Sequence, residues 1–234
     1  RSMERVGILA EGEGGMPALS LGMQNASLVK AALAHNRGVL VSRWGHILLR
    51  RALASRLAAP EGMNPADFAA LRAALLVRMG EGEAARALVQ DVDGNNYTPD
   101  LTQAAFDSYV ATADITGLCP VMALQGYSRT EPEWLQARAI CNAFRGSGEQ
   151  ALAQLDQFLG SDKYPKIDVL LAQKYAGSAT KARRAVKIEW DDVNGMTPWR
   201  YALTIGVGLK PPASLMQNAP IRYDWTAATA PMLG

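Results

Sequence analysis

The stretch GEGEAARALVQDVDGNNYTPDL, Gly80 to Leu101, is repeated in outline by GSGEQALAQLDQFLGSDKYPKI, Gly146 to Ile167. A shift of 66 positions brings Gly80 onto Gly146, Gly82 onto Gly148, Glu83 onto Glu149 and Ala85 onto Ala151. Val89 then meets Leu155, Gly94 meets Gly160, Pro99 meets Pro165 and, upstream, Ala73 meets Ala139. Each position has a mechanical reading. The first glycines end one helix and permit a tight turn. The glutamates fall in the first turn of the next helix, where the dipole favours negative charge. Small alanines let two antiparallel helices approach closely. The closing Gly and Pro end the second helix and launch another pair.

Because 66 is twice 33, a middle unit is expected between the two copies. Leu101 to Thr112 reads as its first helix, and Asp114 as the cap of its second, ITGLCPVMALQG, with Pro120 early in that helix. Three hairpins with a small residue, a turn Gly, an Ala and a closing Pro resemble the tetratricopeptide repeat over roughly residues 65–165. The usual Trp, Leu, Gly and Tyr positions of that repeat's first helix are mostly unmatched. The alanine and arginine usage and the turn MGEGEAAR also resemble uncharacterised helical-repeat proteins of alphaproteobacteria. The resemblance implies an all-α fold, an α-solenoid of antiparallel helix hairpins with irregular capping ends, and no assigned activity.

The flanks read as further helices. Asn25 can cap ASLVKAALAH, and Ser42 can cap RWGHILLRRALASRL. Asn64 followed by Pro65 opens PADFAALRAALLVRM. KIDVLLAQKYAG, from Lys166, is another helix, and Thr197-Pro198 opens WRYALTIGVGL. Trp225 is expected to pack the tail back. Residues 1–24 are glycine-rich and lack periodicity, and read as an extended or loop-like arm, packed or partly disordered. Residues 25–234 read as one helical-repeat domain. The opening Arg1-Ser2-Met3 reads as a remnant before an internal start, so an anchor or export signal upstream is left open.

The 234 residues are 49% hydrophobic, 20% charged and 7% aromatic, ordinary for a chain that folds on its own apolar surface. No run of about 18 apolar residues is present, so no transmembrane helix is expected. The net charge of +2 says little, but its distribution is uneven. Between Glu13 and Glu61 there is no acid, while Lys30, Arg37, Arg43, Arg50, Arg51 and Arg56 fall there. Arg43, Arg50, Arg51 and Arg56 form a candidate basic interaction face. A second cluster is Lys181, Arg183, Arg184 and Lys187. Nucleic acid is not the expected partner, because only Trp44 interleaves the first basic stretch.

Chemistry-bearing patterns are weak. His35 and His46 are 11 positions apart, unlike the i, i+4 pair of a zinc helix. Ser27-x-x-Lys30 and Ser178-x-x-Lys181 lack the other elements that make such a serine a nucleophile. Glu189, Asp191 and Asp192 surround Trp190 and read as a solvated loop rather than a glycosidase pair. Asp91 to Asn96 hints at a calcium loop, but Gly94 comes too early and position twelve is Thr102. GEGGMP, from Gly12, is no phosphate-binding loop. No catalytic residue, metal site or cofactor site is therefore expected. Cys119 and Cys141 fall on adjacent predicted helices, where they form either a disulfide or two buried thiols.

These readings lead to a non-enzymatic scaffold that binds one or more proteins of a larger complex, in the bacterial periplasm, within flagellar motor, secretion or cell-wall machinery. The alternatives are a helical accessory domain of a peptidoglycan-processing enzyme and a cytosolic regulator with a basic binding face.

Overall fold

The structure is a computed structural model that describes residues 3–124, 128–180, 185–217, 219–220 and 222–231. Its fold is all-α, and among these residues there is no β-strand. The helices are α1 (Ala26–His35), α2 (Arg43–Ala54), α3 (Pro65–Arg78), α4 (Gly82–Gln90), α5 (Pro99–Ala111), α6 (Cys119–Leu124), α7 (Pro132–Asn142), α8 (Gly148–Leu159), α9 (Lys166–Ser178), α10 (Pro198–Gly206), α11 (Ala213–Met216) and α12 (Arg222–Thr229). The chain divides into two compact units, Arg1–Tyr109 and Val110–Gly234, and the division falls within α5 rather than in a linker.

Four helix starts follow directly from side chains that accept an otherwise orphaned N–H. Asn25 accepts from Leu28, Ser42 from Gly45, Asn64 from Ala66 and Thr197 from Arg200. Each such cap stabilises its helix by about 1 kcal/mol. Pro65 and Pro198 follow their caps at the first helical position, where a missing N–H costs nothing.

In the first unit, α3 is the central helix, and α1, α2 and α4 all pack on it. It buries Phe68, Ala69, Ala73, Leu75 and Leu76. Gly80 closes the turn to α4 with a φ of 82°, a left-handed conformation that suits glycine. The N-terminal arm is held by backbone pairing. Val6 and Leu57 form one isolated bridge, and Leu9 and Ser55 another. This pairing ends α2 at Ala54, where sequence alone extends it to Leu57. Ser55, Arg56 and Leu57 turn their backbone polar groups to the arm instead of continuing the helix: Arg56 N donates to Leu9 O at 2.9 Å and Leu57 N to Val6 O at 3.3 Å. Gly7 permits the approach, since a Cβ there would stand 2.1 Å from the Ser55 carbonyl oxygen.

Arg72 locks this arrangement from inside. It is fully buried, and its guanidinium donates to the carbonyls of Leu53 (3.1 Å), Ser55 (2.8 Å) and Val6 (2.7 Å). It also lies over the Phe68 ring at 4.5 Å. Burial pushes its pKa down to about 9, against the pull of Asp91, so it stays charged at neutral pH. Carbonyl dipoles and a ring face thus compensate a cation that burial alone would make costly.

In the second unit, α7, α8 and α9 pack on one another, α10 packs on α9, and α12 on α10. Trp134, Ala139, Ile140, Leu155, Leu171 and Tyr175 are buried there. The buried cation of this unit has a carboxylate. Arg200 Nε donates to Asp168 Oδ1 at 2.6 Å and its second nitrogen to Oδ2 at 3.2 Å, joining α10 to α9. Trp199 Nε1 donates to Gln136 at 2.7 Å and ties α10 to α7.

Two further sequence expectations shift. α6 starts at Cys119, not after Asp114, because the Asp114 carboxylate takes the Gly117 N–H at 2.8 Å and closes a turn instead of capping a helix. Gln125 and Gly126, at the end of that expected helix, lie outside the described residues. The tail is docked by Tyr223, which is buried and stacks on Tyr201 at 4.5 Å between centroids. Trp225 remains half exposed, since it falls on the opposite side of the short helix.

Candidate interaction surface

α2 carries three of the four arginines of the candidate basic face. At 100° per residue, Arg51, Trp44 and Leu48 fall together on one side of the helix, and His46, Leu49 and Leu53 on the other. Arg43 and Arg51 are exposed. Arg50 sits nearer the packed side, 3.6 Å from Glu81, and the same carboxylate lies 2.8 Å from His46 Nε2. Glu81, at the turn before α4, therefore takes up the Arg50 guanidinium and the His46 ring of α2. Arg56 lies beyond the helix end and donates from Nε to Gly7 O at 3.3 Å. With Arg5, Glu11 and Asp91 it lines a shallow depression of mixed charge. Arg51, although exposed, also brings its guanidinium to the arm, where a Cβ on Gly14 would stand 3.6 Å from it. The four arginines thus divide between solvent, Glu81 and the arm.

The loop leading into α2 is anchored at its base and apolar at its tip. Arg78 donates to the carbonyls of Asn36 (2.8 Å) and Leu33 (2.6 Å). The Asn36 side chain accepts from Gly38 N at 2.8 Å. Gly38 has a φ of 74°, and a Cβ there would stand 2.8 Å from the Arg78 backbone. Beyond this clamp, Val39, Leu40 and Val41 are exposed. The GVLV run of the sequence reads as buried material, so the exposure of this tip had no signal of its own. Arg72 had one: a single cation inside the apolar run FAALRAALL.

In the second unit, Cys119 at the start of α6 and Cys141 near the end of α7 are joined by a disulfide, with Cα atoms 5.4 Å apart. A bridge across 22 positions stabilises by about 3 kcal/mol through the entropy it removes from the unfolded chain.

Several of the other candidate groups have structural partners. His35 Nδ1 is 2.9 Å from Ala31 O, one turn back in α1. Ser178 Oγ donates to Tyr175 O at 2.7 Å, and Lys181, Arg183 and Arg184 lie outside the described residues. Glu189 is exposed and paired with Lys187 at 3.1 Å and Lys166 at 3.8 Å, which holds its carboxyl below the usual range. Asp91 accepts the Gly7 N–H at 3.1 Å, and Gly94–Asn96 form a 3-10 turn. Among the described residues no three His, Cys, Asp or Glu side chains group in a way that holds a metal ion, and no helix is long and apolar enough to cross a membrane.

No protein-family model, curated protein or solved structure matches this chain.

Proposed function

We propose that this protein is a non-enzymatic interaction scaffold, built from degenerate tetratricopeptide-like helix pairs and working in a bacterial envelope assembly. The observation that supports this reading most is the use of the same side chains in two helix pairs. In α3–α4 and again in α7–α8, buried Gly82 and Gly148 open the second helix, and buried Ala85 and Ala151 and buried Val89 and Leu155 face inward. Repeated pairs of this kind expose long lateral surfaces to protein partners. The disulfide between Cys119 and Cys141 favours an oxidising compartment, and with it the periplasm.

Chemical crosslinking in the native cell, followed by capture and mass spectrometry, tests the scaffold reading. Reproducible crosslinks from these helices to components of one envelope assembly are the expected result. Recovery of the protein alone would remove the reading. Alkylation of intact cells tests the compartment: two thiols open to alkylation without reductant would place the chain in a reducing one.

A further inference from the structure

We propose that the Val39–Val41 tip and the outward face of α2 dock on an anionic lipid bilayer. The inference does not rest on the scaffold reading. Its basis is an apolar surface held out on a built support. Val39 is 83% exposed, Val41 106%, Trp44 75% and Leu48 65%. Such exposure of four large apolar side chains within ten positions is unusual for a surface that meets only water. The tip is not loose chain, because the Arg78, Asn36 and Gly38 contacts fix its base to the end of α3. Ser42 caps α2 immediately after Val41, which sets Trp44 on the first turn of the helix.

The charge around this tip decides the occupant. Exposed Lys30, Arg37, Arg43 and Arg51 surround it in sequence, and no acid occurs from Gly14 to Pro60. Of the acids brought near by folding, Glu81 lies on the packed side of α2 against His46 and Arg50, and Glu13 stands in the arm next to Gly14, against which the Arg51 guanidinium packs. The outward side thus offers apolar groups and cations without a competing carboxylate on α2. Side chains as exposed as Val41 stand clear of their neighbours, and a fluid interface takes them up without walls to hold them. Valine and leucine enter the acyl region, the Trp44 indole suits the headgroup level, and long arginine side chains reach back to lipid phosphates.

Sedimentation of the full chain with vesicles tests this. Binding is expected to vesicles of phosphatidylcholine with phosphatidylglycerol, not to phosphatidylcholine alone, and to weaken with salt. Val41→Asp combined with Trp44→Asp is expected to weaken binding by about tenfold or more. Both positions are exposed, and circular dichroism checks that the variant folds. Trp225→Ala, an exposed tryptophan of the second unit, is expected to bind as the parent chain does. Absence of binding to anionic vesicles would overturn the proposal, as would binding that survives the double substitution. A dimer that the same substitutions dissolve would assign the tip to a second copy instead. Equal retention on immobilised polyglutamate would assign it to an acidic protein face.

Discussion

The α3–α4 and α7–α8 pairs place the same kinds of residue at the same positions and spend them differently. Phe68 and Trp134, 66 positions apart, are both buried, and Ala73 and Ala139 are both fully buried. Arg72 and Arg138 also correspond. Yet Arg72 is sealed in the core and holds three carbonyls from the arm and the end of α2. Arg138 is half buried and donates to the carbonyl of Arg129, a residue of the preceding loop. In the first pair the arginine itself covers the aromatic ring; in the second, Arg129 covers Trp134 at 4.6 Å. The turns differ as well. Gly80 ends α3 in a simple left-handed turn, whereas Gly146, with a φ of 100°, sits inside a π-helical turn at Ala143–Ser147. A helix pair is thus a tolerant frame. What its arginine does depends on which segment of chain lies beside it.

The strongest way to break this comparison is to remove both arginines in turn. Arg72→Met removes the hydrogen bonds to the carbonyls of Leu53, Ser55 and Val6, of which Val6 O keeps the Leu57 N–H, and is expected to destabilise by about 3–5 kcal/mol. Arg138→Met loses the partly buried hydrogen bond to Arg129 O and is expected to cost less, about 1 kcal/mol. Denaturant unfolding of both variants reads the difference. Equal losses would mean that the two positions carry equal weight and that burial does not separate them.

The disulfide sharpens the comparison, because it exists in one unit only. Cysteine is absent from residues 1–118, so the first unit has no covalent brace. Replacing Cys119 and Cys141 by alanine is expected to cost the second unit about 3 kcal/mol. Hydrogen exchange would show the loss as faster exchange in α7, α8 and α9, with α3 and α4 unchanged. An equal rise in α3 and α4 would show that the two units open together.

The parts of this fold that could be read in the sequence are those decided within a few residues. Asn25, Ser42, Asn64 and Thr197 announce their helices because cap and capped N–H lie two or three positions apart. The positions of Gly80 and Gly146 are legible for the same reason. The parts that could not be read depend on distant chain. α2 stops at Ala54 because the arm pairs with Ser55 to Leu57, some 50 positions away. Asp114 serves a turn or a cap according to where α6 begins, and both uses suit its short carboxylate. Tyr223 rather than Trp225 docks the tail because Tyr201 is there to receive it. Of the candidate surface, the cations could be read, but their division between solvent, Glu81 and the arm needed the packing of α2 on α3 and α4.

The smallest expected effect lies in the loop that substitutes for the arm in the second pair. Arg129 is held over Trp134 with help from Glu131, whose carboxylate it meets at 2.6 Å. The hydrogen bond from Arg129 is the largest influence on that carboxyl, and with backbone N–H bonds it lowers the pKa from 4.5 to about 2. A carboxyl depressed in the folded state stabilises above its unfolded pKa and loses that contribution as protons bind to the folded form. The contribution is therefore complete above pH 4.5 and disappears as the pH falls toward 2. Because the Glu131 side chain is partly exposed, solvent screening keeps it below about 1 kcal/mol. Thermal unfolding of the parent chain and of Glu131→Gln across that interval isolates the effect. The difference between the two is expected to shrink as the pH falls. A difference that stays constant would mean that Arg129 is held by Trp134 and the backbone alone, which would bring the second pair closer to the first, where Arg72 covers its ring without a paired carboxylate.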